Sequence, residues 1–231
     1  MTRDFVFDPN APDAGYWEYD SINNVWAESD PSSFIDWENW SVRKKNENTT
    51  HSFFIDGFPR QANRTLRRLL LDCFPNISIT KDLLHREKFF YNAIKENEIC
   101  LLSIRSPYDS ISSLYSYMNL DMSNKDLLIQ EIKYYNRMTS LAIGNNNIYA
   151  IDFNDTINYP YLILSKIETQ FNIPKSFADS FKYIDKTKSY EEGHNSTRTK
   201  EIDKFIISNK TLFAEAEELY KKAKEKRLHC G

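Results

Sequence analysis

One stretch of the chain, residues 52–71, sets the strongest constraint on the fold. Its sequence is SFFIDGFPRQANRTLRRLLL. The apolar run from Phe53 to Ile55 is typical of a buried strand, Gly57 and Pro59 interrupt it, and leucines then recur at helical spacing. A strand that turns into a helix leaves the first amides of the helix without intrahelical partners, at the positive end of its dipole. The stretch therefore predicts a turn that binds an anion.

The side chains of this turn suit a phosphate or sulfate group. Arg60 and Arg64 supply guanidinium groups, and Asn63 and Thr65 supply neutral hydrogen-bonding groups. A basic helix start is also common on an ordinary solvated surface, so this stretch alone leaves both interpretations open.

A second stretch, residues 99–117, repeats the pattern with the sequence ICLLSIRSPYDSISSLYSY. An apolar strand ends at Arg105, and Pro107 and Asp109 are typical of a helix start. Ser113 follows eight residues after Arg105, about two turns into that helix. An arginine at the strand end and a hydroxyl on the facing side of the helix can together bind one further phosphate.

The segments GFPRQANRTLRRLL and SIRSPYDSISSLY resemble the two nucleotide-binding elements of sulfotransferases, especially the compact bacterial and viral members. In that family a loop of the form PRSANTxLR or PKSGTTW binds the 5′-phosphosulfate of 3′-phosphoadenosine 5′-phosphosulfate (PAPS). A second motif, RxPxDxxxS, binds its 3′-phosphate, and here the match is complete. In the first motif Gln61 stands where Ser is usual and Arg64 where Thr is usual. The resemblance covers residues 52–172.

The resemblance implies transfer of a sulfuryl group from PAPS to a hydroxyl or amine, with adenosine 3′,5′-bisphosphate (PAP) as the product and no metal. It implies cofactor-binding residues in both motifs and in the late polar segment 188–200. These residues are Arg60, Gln61, Ala62, Asn63, Arg64, Thr65, Arg105, Ser113, Ser196, Arg198 and Lys200. The late segment is equally typical of a solvated loop.

The resemblance also implies two catalytic residues. Arg60 takes the position of the loop's basic residue, which stabilises the bridging oxygen as PAP leaves. His85 falls 20 residues before Arg105, close to where sulfotransferases with a catalytic histidine have it. A neutral imidazole can take a proton from an acceptor hydroxyl, although a lone histidine more often caps or packs locally. Glu87 is the reserve candidate, because some relatives use a carboxylate.

Strand and helix patterns alternate along the rest of the chain. Residues 76–81 and 147–153 are predicted strands, and residues 126–142 and 161–171 are predicted helices. This order favours an α/β, P-loop-like three-layer fold with a central, mostly parallel sheet flanked by helices. Ligands of such sheets bind at the carboxyl ends of the strands, where both motif arginines fall. A charged amphipathic helix is expected from Lys200 to about Lys226.

Residues 1–45 form a predicted acidic arm, and residues 46–231 the sulfotransferase-like domain. The arm contains a predicted hairpin around residues 21–24 and all four tryptophans: Trp17, Trp26, Trp37 and Trp40. In one interpretation these rings pack the arm onto the main domain, or onto a second subunit in a homo-oligomer. In the other they line a sugar-binding surface.

The charge distribution separates the two parts of the chain. The net charge is −3, yet the first 40 residues hold nine acidic residues and one basic residue. The remainder is mildly basic, which suits a polyanionic cofactor but not nucleic acid. The sequence has neither an apolar run of about 18 residues nor a signal-peptide pattern, so we expect a cytoplasmic protein. We also expect reduced thiols at Cys73, Cys100 and Cys230, which have no metal-like spacing.

Two other functions stay open on the sequence alone. A P-loop kinase-like phosphotransferase also binds phosphates at a helix start, but the chain has no G-x-x-x-x-G-K-[ST] motif. A catalytically silent nucleotide-binding or assembly protein is favoured by the departures at Gln61 and Arg64. The acceptor is a small molecule, a glycan or a peptide, and nothing in the sequence distinguishes these.

Overall fold

A computed structural model describes residues 16–20, 25–29, 49–74, 76–79, 85, 87–118, 120–174 and 197–226 of the chain. Strands β1 (Tyr16–Asp20) and β2 (Val25–Ser29) pair antiparallel, with Tyr16 opposite Ser29. The hairpin predicted in the arm is therefore confirmed. Trp37 and Trp40 lie outside the described residues.

The central sheet contains four parallel strands: β3 (His51–Gly57), β4 (Ile77–Ile79), β5 (Ile99–Ile104) and β6 (Ile148–Asp152). Their order across the sheet is β4-β3-β5-β6. The chain leaves β3 for β4 on one side and returns to β5 on the other. The order thus reverses between β3 and β5, which is where open α/β sheets bind ligands.

Eight α-helices and one short 3₁₀ helix accompany the strands in the described part of the chain. They are α1 (Asn63–Cys73), α2 (Glu87–Lys95), α3 (Pro107–Met118), α4 (Lys125–Gly144), α5 (Phe153–Asn158), α6 (Pro160–Phe171), α7 (Thr197–Ser208), the 3₁₀ helix (Lys210–Phe213) and α8 (Ala214–Glu225). The apolar residues that recur at helical spacing in α4 are all buried: Leu127, Leu128, Ile132, Tyr135, Met138 and Ala142.

Alternating residues of β3 enter two different cores, one on each face of the sheet. Phe53 and Ile55 pack with apolar residues of α1 and α6, whereas Phe54 packs with residues of α2, α3, α4, α7 and α8. Leu66, Leu69 and Leu70 anchor α1, and full burial of each contributes about 1.5–3 kcal/mol. Helices therefore cover both faces of a parallel sheet, which confirms the predicted α/β three-layer architecture.

β3 and β5 approach each other closely at their carboxyl ends, where Gly57 is the register partner of Ser103. A Cβ atom at position 57 would lie 2.5 Å from the Ser103 carbonyl oxygen. Glycine is therefore required at the last residue of β3, and the segments that follow the two strands begin side by side.

The prediction of one continuous C-terminal helix was wrong. The helix ends at Ser208, and a 3₁₀ turn leads into α8. The reason is local: the Ser208 hydroxyl and the Asn209 amide both donate to the Phe205 carbonyl, at 2.8 and 2.9 Å. Side chains of Ser and Asn compete in this way with the backbone for helical carbonyls.

Cys73 and Cys100 are buried, as expected of core thiols, and Cys230 lies outside the described residues. Among the helices that the structure describes, none has the length and apolar character needed to cross a membrane.

Candidate functional site

The loop from Phe58 to Ala62 joins β3 to α1 and has an unusual backbone. Arg60 and Ala62 have φ angles of 68° and 62°, in the left-handed region that residues other than glycine rarely adopt. Ala62 caps α1 without a side-chain hydrogen bond, and the first turn of the helix has no acidic residue. Left-handed residues in a turn are typical of backbone nests, in which successive amides converge on an anion. The loop is therefore shaped for an anionic group.

Three hydrogen bonds connect this loop to β5 and α3. Arg60 Nε donates to Ser113 Oγ at 3.3 Å, and Gln61 Nε2 donates to Ser110 Oγ at 3.3 Å. Arg105 Nη1 donates to the carbonyl of Arg60, also at 3.3 Å. The two sequence motifs thus meet, and the predicted residues Arg60, Arg105 and Ser113 form one cluster.

Aromatic rings lie against both arginines of the cluster. The Arg60 guanidinium carbon is 4.5 Å from the centre of the Tyr117 ring, and that of Arg105 is 4.0 Å from the centre of the Phe153 ring. Cation–π contacts of this kind hold a guanidinium group in place without neutralising its charge. Tyr117 is exposed, and it lies one turn after Ser113 on α3. Neither ring was among the predicted site residues, although the four-residue spacing from Ser113 could have indicated Tyr117.

Other predicted loop residues hold the turn together. Gln61 and Asn63 are buried, and the Asn63 amide donates to the carbonyls of Gly57 and Phe58, at 3.4 Å each. Within the part of the chain that the structure describes, the Asn63 side-chain oxygen is buried and has no hydrogen-bond partner. Thr65 is half-buried in the first turn of α1. Of Arg64 only the backbone, within α1, is described.

His85 lies at the same edge of the sheet and contacts the buried carboxylate of Asp56. Its backbone amide donates to Asp56 Oδ2 at 2.6 Å, and its ring Nδ1 lies 2.8 Å from Asp56 Oδ1. Nδ1 is also 2.6 Å from the Gly57 carbonyl. The hydroxyl of Tyr134 on α4 donates to the His85 carbonyl. Asp56 was not among the predicted site residues, although a carboxylate directly after the apolar run Phe53 to Ile55 is itself a signal.

The remaining predicted residues lie elsewhere or outside the described part. Ser196 is not described, and of Arg198 only the backbone, in α7, is described. Lys200 is exposed on α7, and within the described residues no hydrogen bond or ion pair joins it to the cluster. Glu87, the reserve base, pairs with Arg137, with 2.5 Å between Oε1 and Nε.

Taken together, the switch point of the sheet presents a loop with two left-handed residues before a helix start, two arginines in contact with aromatic rings, and a histidine–carboxylate pair. Such a combination suits a ligand with more than one acidic group and a reaction in which a proton is removed.

No protein-family model matches the sequence, and neither the curated proteins nor the solved structures compared with it include a significant match.

Proposed function

We propose that the protein is a PAPS-dependent sulfotransferase that moves a sulfuryl group to a hydroxyl or amine of its acceptor. The observation that carries this proposal is the convergence of Arg60, Arg105 and Ser113. Arg60 precedes Arg105 by 45 residues and Ser113 by 53, and the three meet at the switch point of a parallel sheet.

The cluster offers donors for both phosphates of the nucleotide. The backbone amides of Gln61 and Ala62 and the guanidinium group of Arg60 bind the 5′-phosphosulfate, while Arg105 and Ser113 bind the 3′-phosphate. Arginine suits this task because it stays charged and presents several donors to one oxyanion. Arg60 Nε donates to Ser113 Oγ, and phosphate oxygens replace that bond when the nucleotide binds.

The transfer itself requires alignment and charge stabilisation. The acceptor oxygen forms a new bond to sulfur as the bond between sulfur and the bridging oxygen of PAPS breaks. Arg60 stabilises the negative charge that develops on the leaving PAP, and His85 takes the proton of the acceptor hydroxyl. The same demands of in-line geometry and cationic stabilisation govern phosphoryl transfer.

Calorimetric titration with PAP tests the nucleotide site, with ATP as the competing ligand class. We expect PAP to bind the wild-type protein and to bind Arg105→Ala at least tenfold more weakly. Arg68→Ala is the matched control, because Arg68 is an exposed residue of α1. Absence of PAP binding, or equal binding of ATP, contradicts the proposal, and equal ATP binding favours a phosphotransferase.

A second candidate function is nucleotide binding without transfer. The hydrogen bond between Arg60 and Ser113 favours it, because this bond engages the guanidinium group of the proposed catalytic arginine. Tight PAP binding together with unchanged PAPS, across a screen of hydroxyl and amine acceptors, supports this function over the transferase.

A further inference from the structure

We propose that Asp56 is a positioning residue that fixes the ring of His85, so that Nε2 is the nitrogen that accepts the proton. This inference rests on the proposed function for its catalytic meaning. Its physical content, the tautomer and orientation of one imidazole, stands on the geometry of the pair alone.

The Asp56 carboxylate is fully buried, and donors surround it. Oδ1 accepts the amide of Gly57 at 2.9 Å and faces His85 Nδ1 at 2.8 Å. Oδ2 accepts the backbone amide of His85 at 2.6 Å. An ionised carboxylate accepts and never donates, and its burial is tolerated only where donors replace water. The three contacts meet this condition, and two of them come from His85.

The contacts of Nδ1 determine where the ring proton lies. Nδ1 is 2.8 Å from Asp56 Oδ1 and 2.6 Å from the Gly57 carbonyl, and both partners are acceptors. A neutral imidazole has one protonated and one basic nitrogen, and only a protonated Nδ1 can satisfy these neighbours. The basic lone pair is therefore on Nε2. After proton transfer the adjacent carboxylate stabilises the imidazolium that forms.

The backbone of His85 is held as firmly as its ring. Its φ angle is 53°, a left-handed conformation that persists only where surrounding contacts enforce it. Asp56 binds the amide and the Tyr134 hydroxyl binds the carbonyl, so a strand and a helix hold the residue from both sides. The nearby charges of Glu87 and Arg137 pair with each other.

Nitrogen-15 NMR of the histidine rings tests this inference on the full chain without ligand. The sequence has four histidines, so comparison with His85→Gln assigns the His85 signals. We expect protonated Nδ1 and unprotonated Nε2 in the wild type at alkaline pH. In Asp56→Asn a carboxamide NH₂ group replaces a carboxylate oxygen and faces hydrogen-bond donors. The His85 ring form protonated at Nε2 therefore becomes populated, and the ring titrates at lower pH because the negative charge is gone.

Two controls separate positioning from general damage. Tyr134→Phe removes a contact of His85 but leaves the carboxylate, so it keeps the wild-type tautomer. His51, at the opposite end of β3, bonds through Nδ1 to the Thr50 hydroxyl at 3.0 Å and reports whether each variant folds. If Asp56→Asn does not fold, the wild-type tautomer decides the question. A wild-type ring protonated at Nε2, or an Asp56→Asn ring with unchanged tautomer and titration, overturns the inference.

This experiment needs neither PAPS nor an acceptor, so its failure is distinguishable from failure of the proposed function. A protein that does not bind PAP contradicts the sulfotransferase proposal and leaves the histidine tautomer as measured. In an active enzyme, Asp56→Asn lowers turnover roughly tenfold or more, while PAP affinity stays unchanged.

Discussion

Arg60 Nε lies 3.3 Å from Ser113 Oγ, although 53 residues separate the two along the chain. One residue belongs to the loop after β3 and the other to the helix after β5. Because those strands are neighbours at the switch point of the sheet, the contact joins the two sequence motifs in one cluster.

Replacement of Ser113 by alanine tests its role in that site. We expect PAP to bind Ser113→Ala roughly 10–100-fold more weakly, because a hydrogen bond to a charged group is worth about 1.5–3 kcal/mol. Ser112→Ala is the matched control: Ser112 is the preceding residue of α3, and its hydroxyl bonds to Asp203 at 2.7 Å. Calorimetry checks both variants. Equal PAP affinities of Ser113→Ala and Ser112→Ala would contradict a role of Ser113 in nucleotide binding.

Replacement of His85 by glutamine tests its assignment as the base. We expect release of PAP from PAPS to slow by roughly 10²–10⁴ with the acceptor that a screen identifies, while PAP affinity is unchanged. Glu87→Gln is the comparison, because Glu87 pairs with Arg137 and is the alternative carboxylate. A large loss in Glu87→Gln together with an active His85→Gln would transfer the role to Glu87.

Replacement of Gly57 by alanine tests the close approach of β3 and β5. The added methyl group meets the Ser103 carbonyl oxygen at 2.5 Å, so the backbone must shift. We expect a loss of about 1–3 kcal/mol in the free energy of unfolding. Gly144→Ala is the control, since a Cβ there has no neighbour within 4 Å. Chemical denaturation measures both, and a neutral Gly57→Ala would contradict the described register.

The buried carboxyl of Glu131 predicts a pH dependence of stability. Burial raises the pKa of Glu131 to about 8 from the ordinary 4.5. Between these values the unfolded chain loses the proton and the folded chain keeps it, so stability falls as pH rises through this window. Glu131→Gln removes that fall. Near pH 8 its free energy of unfolding should exceed that of the wild type by on the order of a few kcal/mol.

Denaturation at pH 5 and pH 8 measures the Glu131 effect. Glu201→Gln, at an exposed site of α7, is the control and should follow the wild type at both values. Parallel pH profiles for the wild type and Glu131→Gln would contradict a protonated, buried Glu131.

Local sequence patterns predicted the sheet and much of the cluster. Apolar runs and leucine spacing are set by burial, so β3, α1, β5 and α4 follow from them, and Arg60 and Arg105 fall at strand ends. The partners of those residues depend on tertiary contacts that no local pattern encodes. Asp56 becomes a histidine partner only because residue 85 returns to the end of β3. The break after Ser208 likewise depends on two side-chain hydrogen bonds that outweigh helical periodicity.

The measurement that tests the central claim most directly is the ratio of the affinities of PAP and adenosine 5′-monophosphate. These ligands differ by the 3′-phosphate, which we assign to Arg105 and Ser113. We predict that the wild type binds PAP at least tenfold more tightly than adenosine 5′-monophosphate. Arg105→Ala should bind both nucleotides with nearly equal affinity, whereas the control Arg68→Ala should keep the wild-type ratio. A wild type that does not distinguish the two ligands, or an Arg105→Ala variant that keeps the full ratio, would contradict the account.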